Sequence, residues 1–189
     1  MSHKLFRNIA VSTATLFMTL QTTVASDAVW QALRDGSTVA ILRHARAPGT
    51  GDPMNFKLDD CATQRNLSEE GRLQARSIGQ RFKEQRVPVK QVLSSRWCRT
   101  LDTARLAFGT RVEPFPPLDS FFGERRQEEA QTRALRQVIA KWSSPGVLVL
   151  VTHQVNITAL TGIFPAEGEV LVLRPKAQEG FEIVGRIRL

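Results

Sequence analysis

The stretch VAILRHARAP, residues 39–48, decides the fold prediction. Its first four residues are continuously apolar, which is typical of a strand that is covered on both faces of a sheet. The run then ends in Arg43 and His44. A second strongly apolar run, residues 147–152, ends in the same way at His153. Two buried strands that both lead into a histidine predict a functional site beyond the strand ends.

Helices are predicted between the strands. Ser68 is a typical N-cap residue, and Glu69 and Glu70 follow it in the first turn, so we expect a helix that begins there and ends before Pro88. Strands that alternate with helices indicate an α/β domain with a largely parallel sheet. The other predicted elements are strands over 89–95 and 111–115, helices over 100–108 and 127–142, a helix from residue 157, and a closing hairpin over 169–174 and 182–189.

The first 25 residues predict a secretory signal peptide. Lys4 and Arg7 give a basic start, residues 9–20 form a mostly apolar run that is short for a bilayer span, and small residues follow. We expect cleavage after Ala25, a single domain over residues 26–189, and a periplasmic or secreted protein with no lasting membrane span. An uncleaved anchor is the alternative interpretation.

The charge of the chain suits anionic partners. The formal net charge is +8, and removal of the signal segment would lower it by two. The arginines are scattered over predicted helix faces, no basic stripe is interleaved with aromatic residues, and tyrosine is absent. Nucleic acid therefore has no support as a partner, and phosphorylated small molecules or lipid headgroups fit at least as well.

Two cysteines, Cys61 and Cys98, belong to the expected mature chain. In an oxidising compartment a disulfide between them would close a loop of a few tens of residues, worth roughly 3–4 kcal/mol. Two buried free thiols are the alternative, and the sequence does not decide between the two.

The predicted strand ends gather an unusual set of side chains. His3 leaves with the signal, so both remaining histidines, His44 and His153, follow predicted strands, and Arg43 and Arg99 lie close to such ends. In open α/β sheets the ligand crevice lies beyond the carboxyl ends of the strands. Arginine matches phosphate oxygens, and a neutral histidine is a nucleophile. We therefore predict a site for a phosphate dianion.

A metal site is the first alternative. Neutral imidazoles bind zinc, but a zinc site usually needs three or four ligands. Cys61 or Asp119 could complete a set, although nothing in the sequence shows ligand spacing, and the fixed charge of Arg43 opposes a divalent cation. Phosphoryl transfer needs alignment and neutralised charge, which arginines can supply, so we expect no metal and no cofactor.

Four segments of the sequence resemble the motifs of a known protein family. They are LRHA at 42–45, NLSEEGRLQA at 66–75, SSRWCRTLDTA at 94–104 and VTH at 151–153. In this order they resemble the motifs of the histidine phosphatase superfamily, which includes the phosphoglycerate mutases and the histidine acid phosphatases. The match covers roughly residues 38–175. The resemblance implies a three-layer α/β/α fold with a mostly parallel central sheet, like that of the phosphoglycerate mutases.

The resemblance also implies roles. His44 would be the phosphorylated nucleophile, Arg43, Arg99 and His153 would bind the phosphoryl oxygens, and a carboxyl group would protonate the leaving oxygen. The implied function is an exported, metal-independent phosphomonoesterase that works through phosphohistidine on a small phosphorylated substrate. An envelope glycan or a lipid phosphate is our substrate hypothesis, and a non-catalytic phosphate-binding or sensor module of the same fold is the alternative function.

The chain departs from the family pattern near the proton donor. Ala45 replaces the usual glycine, and Gln154 follows His153 where the acid phosphatases have an acidic residue, so the acid must lie elsewhere. In the mutase-like branch a glutamate precedes a loop glycine by four residues. Asp119, four residues before Gly123, is therefore the first candidate.

Two further assignments stay open. Glu124 is the second candidate for the acid, and Asp119 could instead cap a turn after Pro117. Asn156 is a candidate phosphate ligand from the first turn of the helix after His153, or else the cap of that helix.

Overall fold

The structure is a computed structural model, and it describes residues 27–109, 111–176 and 180–189. The proposed signal segment lies outside these residues. The strands are β1 (Val39–Arg43), β2 (Val89–Ser94), β3 (Glu113–Pro114), β4 (Val147–Thr152), β5 (Val170–Lys176) and β6 (Gly180–Ile187). The helices are α1 (27–35), α2 (Glu69–Glu84), α3 (Cys98–Phe108), α4 (Glu128–Ala140) and α5 (Gln154–Thr161).

The strands form one sheet in the order β3-β2-β4-β1-β5-β6. The four strands from β3 to β1 are parallel, whereas β5 and β6 run antiparallel and close the sheet as a hairpin. The α/β fold with a mostly parallel sheet is therefore confirmed. β1 and β4 are neighbours whose register pairs Arg43 with Thr152. This register brings the two histidine-bearing strand ends to the same edge.

Helices cover both faces of the sheet, because alternate residues of each buried strand point to opposite sides. Ala40 and Leu42 pack in one core with α1, α2 and α3, whereas Val39 and Ile41 pack in the other with α4 and α5. Burial on both faces explains the continuously apolar run that precedes Arg43. The result is the three-layer arrangement that the resemblance implied.

The helix α2 begins as its sequence predicts. Ser68 is the N-cap, and its hydroxyl accepts a hydrogen bond from the amide of Gly71 at 3.1 Å. A side chain at Gly71 would meet the carbonyl oxygen of Arg46 at 2.0 Å. The absence of a side chain thus lets the first turn of α2 pack directly on the segment that follows β1.

Within the described residues, none of the helices has the length and the apolarity needed to cross a lipid bilayer.

Candidate active site

His44 and His153 lie side by side at the carboxyl edge of the sheet. Each follows its strand directly, and the amide of His44 donates to the carbonyl of Thr152 at 2.9 Å. The centroids of the two imidazole rings are 5.6 Å apart, and both residues are buried. Two adjacent parallel strands therefore fix the separation of the two rings.

The tautomer of His44 follows from its neighbour. Its Nδ1 lies 2.8 Å from the carbonyl oxygen of Ala45, which can only accept a hydrogen bond, so Nδ1 carries the proton. The lone pair of the ring is then on Nε2. Burial, followed by the charge of Arg99, lowers the pKa of His44 to about 3. At neutral pH His44 is consequently an uncharged imidazole with a nucleophilic Nε2.

His153 is held in the complementary orientation. Its Nε2 lies 2.8 Å from the hydroxyl of Ser95, and its Nδ1 lies 3.4 Å from Nη2 of Arg99. Because a guanidinium can only donate, Nδ1 is the acceptor and Nε2 donates to Ser95. Burial and then the charge of Arg99 hold the pKa of His153 well below its ordinary value. The site thus contains two neutral histidines.

The two predicted arginines both retain an unused donor. Arg99 is buried in the first turn of α3, and Arg43 donates from Nη1 to the carbonyl of Pro165 at 3.0 Å. Among the described residues, the buried Nε groups of Arg43 and Arg99 have no hydrogen-bond partner. Because an unsatisfied buried donor is costly, a site with two of them favours an anionic ligand.

Asp52 was missed by the sequence analysis. Its two carboxylate oxygens accept end-on hydrogen bonds from Nη1 and Nη2 of Arg99 at 2.7 and 3.1 Å, and Oδ2 also accepts from the indole of Trp97 at 3.0 Å. Burial alone would raise the pKa of Asp52, but the hydrogen bonds and charge of Arg99 outweigh it, and the net pKa is lowered. Asp52 is therefore an ionised group that orients Arg99 through Nη1 and Nη2 and does not engage its Nε.

Arg65 is the second residue that was missed. Its Nε donates to the carbonyl of Gly51 at 2.8 Å, and its Nη1 donates to the carbonyl of Ala47. Its charge contributes to lowering the pKa values of both histidines. The sequence offered one signal for this region, Gly51 and Pro53 on either side of Asp52 in a loop that a disulfide could tether.

These side chains line one cavity of about 200 Å³. It brings together Arg43, His44, Arg99 and His153, the four residues predicted from the strand ends, and adds Asp52 and Arg65. Gln154 also lines the cavity, at the position where the acid phosphatases carry an acidic residue. No three histidine, cysteine, aspartate or glutamate side chains in the described part of the chain converge as metal ligands would.

The remaining predicted residues do not line this cavity. The carboxylate of Asp119 is buried and accepts hydrogen bonds from the amide of Arg96 at 2.9 Å and from its Nε at 2.8 Å. Glu124 pairs with Arg126 at 2.8 Å. Asn156 donates from Nδ2 to the carbonyl of Asp119 at 2.8 Å, and the N-cap of α5 is His153. The roles predicted for these three residues gain no support from the geometry and stay predictions.

A disulfide joins Cys61 to Cys98, which decides between the two alternatives that the sequence left open. Cys61 begins a short 3₁₀ helix in the 45–66 loop, and Cys98 begins α3, one residue before Arg99. The amide of Cys98 also donates to the side chain of Gln64 at 2.9 Å. The loop that carries Asp52 and Arg65 is thereby tied to the helix that carries Arg99.

Comparisons with solved structures support the same fold. The protein histidine phosphatase SixA, solved with tungstate, matches with a TM-score of 0.57 and 15% identity over 79% of this chain and 96% of its own. A phosphoserine phosphatase from Entamoeba histolytica matches with a TM-score of 0.59 and 12% identity over 80% and 97%. A mycobacterial glucosyl-3-phosphoglycerate phosphatase matches with a TM-score of 0.57 and 18% identity over 78% and 97%.

No curated protein matches the chain significantly in sequence. The sequence model of the histidine phosphatase superfamily (branch 1), in contrast, matches residues 39–143, which is more than half of the chain. This range contains Arg43, His44 and Arg99, three of the four strand-end residues that line the cavity. The chain therefore belongs to branch 1 of the histidine phosphatase superfamily.

Proposed function

We propose that this protein hydrolyses phosphate monoesters through a phosphohistidine at His44. The observation that carries the proposal is a neutral His44, with its lone pair on Nε2, in one cavity with two arginines whose Nε donors lack partners among the described residues. A phosphoryl group offers the acceptor oxygens that these donors need. Its bound charge would be neutralised by arginine, as phosphoryl transfer requires.

The first chemical step forms the phosphoenzyme. Nε2 of His44 attacks phosphorus, the bond between phosphorus and the ester oxygen breaks, and the leaving oxygen takes up one proton. Arg43, Arg99 and His153 hold the non-bridging oxygens. When the dianion is present its charge favours a protonated His153, which can then donate from Nδ1 as well as to Ser95.

The second step regenerates the enzyme. A water molecule attacks phosphorus, the bond to Nε2 breaks, and inorganic phosphate leaves with His44 neutral again. The carbonyl of Ala45 keeps the proton of the ring on Nδ1 throughout, so Nε2 stays the reacting atom. The small residue at position 45 preserves this main-chain contact despite the departure from the glycine of the family motif.

The proton for the leaving oxygen comes from solvent at the cavity mouth in this proposal. Arg96 donates to both oxygens of Asp119, so this carboxylate is already engaged, and Asp119 lies outside the lining of the cavity. Asp52 does line the cavity, but Arg99 keeps it ionised. Asp119 is thus hydrogen-bonded to Arg96 outside the cavity, and the ionised Asp52 has no proton to donate.

The proposal includes export and independence from metal ions. Export rests on the N-terminal pattern of a basic start, a short apolar run and small residues, and a disulfide is typical of oxidising compartments. Mass measurement of the protein recovered from the periplasmic fraction tests export. The expected mature chain begins at Ser26, whereas a full-length membrane-bound chain would contradict it.

The catalytic test uses a ³²P-labelled aryl phosphate with EDTA present. Wild-type protein is expected to turn the ester over and to carry an acid-labile, base-stable label on quenching. His44→Ala should show neither, while circular dichroism checks that it folds. Turnover that survives in His44→Ala would refute the nucleophile. Phosphate binding without label or turnover in the wild type would indicate the non-catalytic alternative.

A further inference from the structure

Exposed apolar side chains gather at the mouth of the arginine cavity. Phe122 and Phe164 line the cavity, yet 52% and 67% of their surfaces are exposed. Met54, two residues beyond Asp52 in a loop that borders the cavity, is fully exposed, although its own side chain does not line the cavity. These three are half of the exposed large hydrophobic residues in the described ranges; the others are Leu73, Ile183 and Leu189.

These three apolar side chains do not belong to the hydrophobic core of the described residues, since its buried clusters do not include Met54, Phe122 or Phe164. An apolar group of this kind beside a polar pocket marks a site for a ligand or partner. Because the three residues come from three different loops, no single element of secondary structure accounts for their position.

A second cavity of about 540 Å³ extends the apolar surface. It shares Phe122 and Asp52 with the arginine cavity, and its further wall includes Pro53, Phe56 and Trp97. The rings of Phe56 and Trp97 are stacked with centroids 5.1 Å apart. The charged side chains beside them are already paired, as Arg96 with Asp119 and Glu124 with Arg126. Phe122, Phe56 and Trp97 therefore offer a ligand apolar contact beside charged groups that already have partners.

We propose that the substrate is an amphiphilic phosphate monoester with an aliphatic chain. Its phosphate enters the cavity of Arg43, Arg65 and Arg99, and its chain lies against Phe122 and Phe164. This inference rests on the proposed function and adds the chemical class of the esterified group. Three guanidinium groups complement the phosphate, while the rings of Phe122 and Phe164 offer apolar surface to an aliphatic chain.

The test is the dependence of kcat/KM on chain length. Straight-chain alkyl phosphates from ethyl to octyl are used below the concentrations at which they aggregate, with glycerol phosphate as the polar ester. We expect kcat/KM to rise about two- to fourfold per methylene group, since full burial of a methylene gives about fourfold. The Phe122→Ser, Phe164→Ser double variant should flatten this slope, whereas Leu73→Ser, an exposed residue of α2, should keep it.

Phosphorylation by acetyl phosphate tests the proposed function separately from the proposed class of substrate. Acetyl phosphate carries no chain, so labelling of His44 reports the phosphoryl site alone. Normal labelling of the wild type with no rise in kcat/KM along the series, or with a preference for glycerol phosphate, overturns the aliphatic substrate and leaves the proposed function standing. Absence of labelling and of turnover overturns both. A slope that the double variant retains also overturns the role of the two phenylalanines.

Discussion

The sheet edge and the 45–66 loop contribute to the same cavity in different ways. The edge supplies His44 and His153, whose rings are placed by main-chain pairing of β1 with β4. The loop supplies Asp52 and Arg65, which are placed by side-chain hydrogen bonds and by the disulfide at Cys61. The reacting groups thus come from rigid strands, and the groups that orient them and balance their charge come from a tethered loop.

This difference predicts different consequences for changes in the two regions. A change at the edge should remove chemistry, because no other group can take the place of a reacting atom. A change in the loop should alter orientation, charge or stability and leave the reaction itself in place. The following predictions test this division, from the largest expected effect to the smallest.

Arg99→Met should cost the most activity among the binding residues. Loss of a buried, hydrogen-bonded charge is expected to lower kcat/KM by about 10²–10³-fold, or about 3–4 kcal/mol. The matched control is Arg105→Met, an exposed arginine of the same helix, which should retain wild-type kinetics. Urea unfolding of both variants separates lost catalysis from lost folding. Retention of more than a tenth of the activity in folded Arg99→Met would contradict the assignment.

Removal of the disulfide should mainly affect stability. The bridge spans 37 residues of sequence, so loop-closure entropy predicts a loss of about 4 kcal/mol from the free energy of unfolding in the Cys61→Ser, Cys98→Ser variant. Folded protein should still carry the phosphohistidine label, because the edge residues do not depend on the bridge. Complete loss of labelling in a variant that remains folded would show that the loop takes part in the chemistry.

The two edge histidines should make the unliganded protein acid-sensitive. Both have lowered pKa values, His44 to about 3, so below about pH 6.5 the unfolded chain binds protons that the folded chain does not. The free energy of unfolding should therefore be lower at pH 5.5 than at pH 7.5, by about 1 kcal/mol for His44 and in the same direction for His153. Urea titrations in phosphate-free buffer measure it. A His44→Asn variant with the same slope as the wild type would contradict the neutral, buried state of His44.

Asp52→Asn should distinguish the effect of Asp52 on the orientation of Arg99 from its effect on the affinity of the site for phosphate. Without the carboxylate, Arg99 loses its end-on restraint, so kcat is expected to fall about tenfold. One negative charge also leaves the cavity, so KM and the inhibition constant of phosphate should fall rather than rise. Asp59→Asn, an exposed residue of the same loop, is the control. A rise in KM together with the fall in kcat would indicate general disruption of the site.

Asp119→Asn should have the smallest effect. If solvent protonates the leaving group, kcat should change less than about threefold for both p-nitrophenyl phosphate and an alkyl phosphate. If Asp119 is the acid that the sequence pattern predicts, the alkyl ester should lose far more activity than the p-nitrophenyl ester, whose leaving group needs no proton. Glu124→Gln, measured with the same pair of esters, tests the second candidate.

The sequence predicted the parts of the site that depend on regular structure. Apolar runs located β1 and β4, and the rule for strand ends then brought His44 and His153 into one crevice, together with Arg43 and Arg99. The cap at Ser68 was also predicted correctly. These features depend on local patterns and on the direction of parallel strands, which the sequence carries directly.

The parts of the site that the sequence did not predict depend on contacts between segments that lie far apart in the sequence. Asp52 and Arg99 are 47 residues apart, and no periodicity relates them. The spacing of Asp119 before Gly123 fitted the family pattern, but the partner of its carboxylate, Arg96, lies 23 residues earlier and is visible only in the folded chain. The helix α1 and the early start of α5 at Gln154 were missed as well, because weakly patterned segments gain their structure from packing.

The most direct test is the position of a bound phosphate analogue. A crystal structure of the protein soaked with tungstate should place the oxyanion in the arginine cavity, about 3 Å from the Nε groups of Arg43 and Arg99 and next to His153. Its central atom should face Nε2 of His44. Tungstate bound elsewhere, or bound in the cavity with Nε2 of His44 turned away from it, would contradict the account.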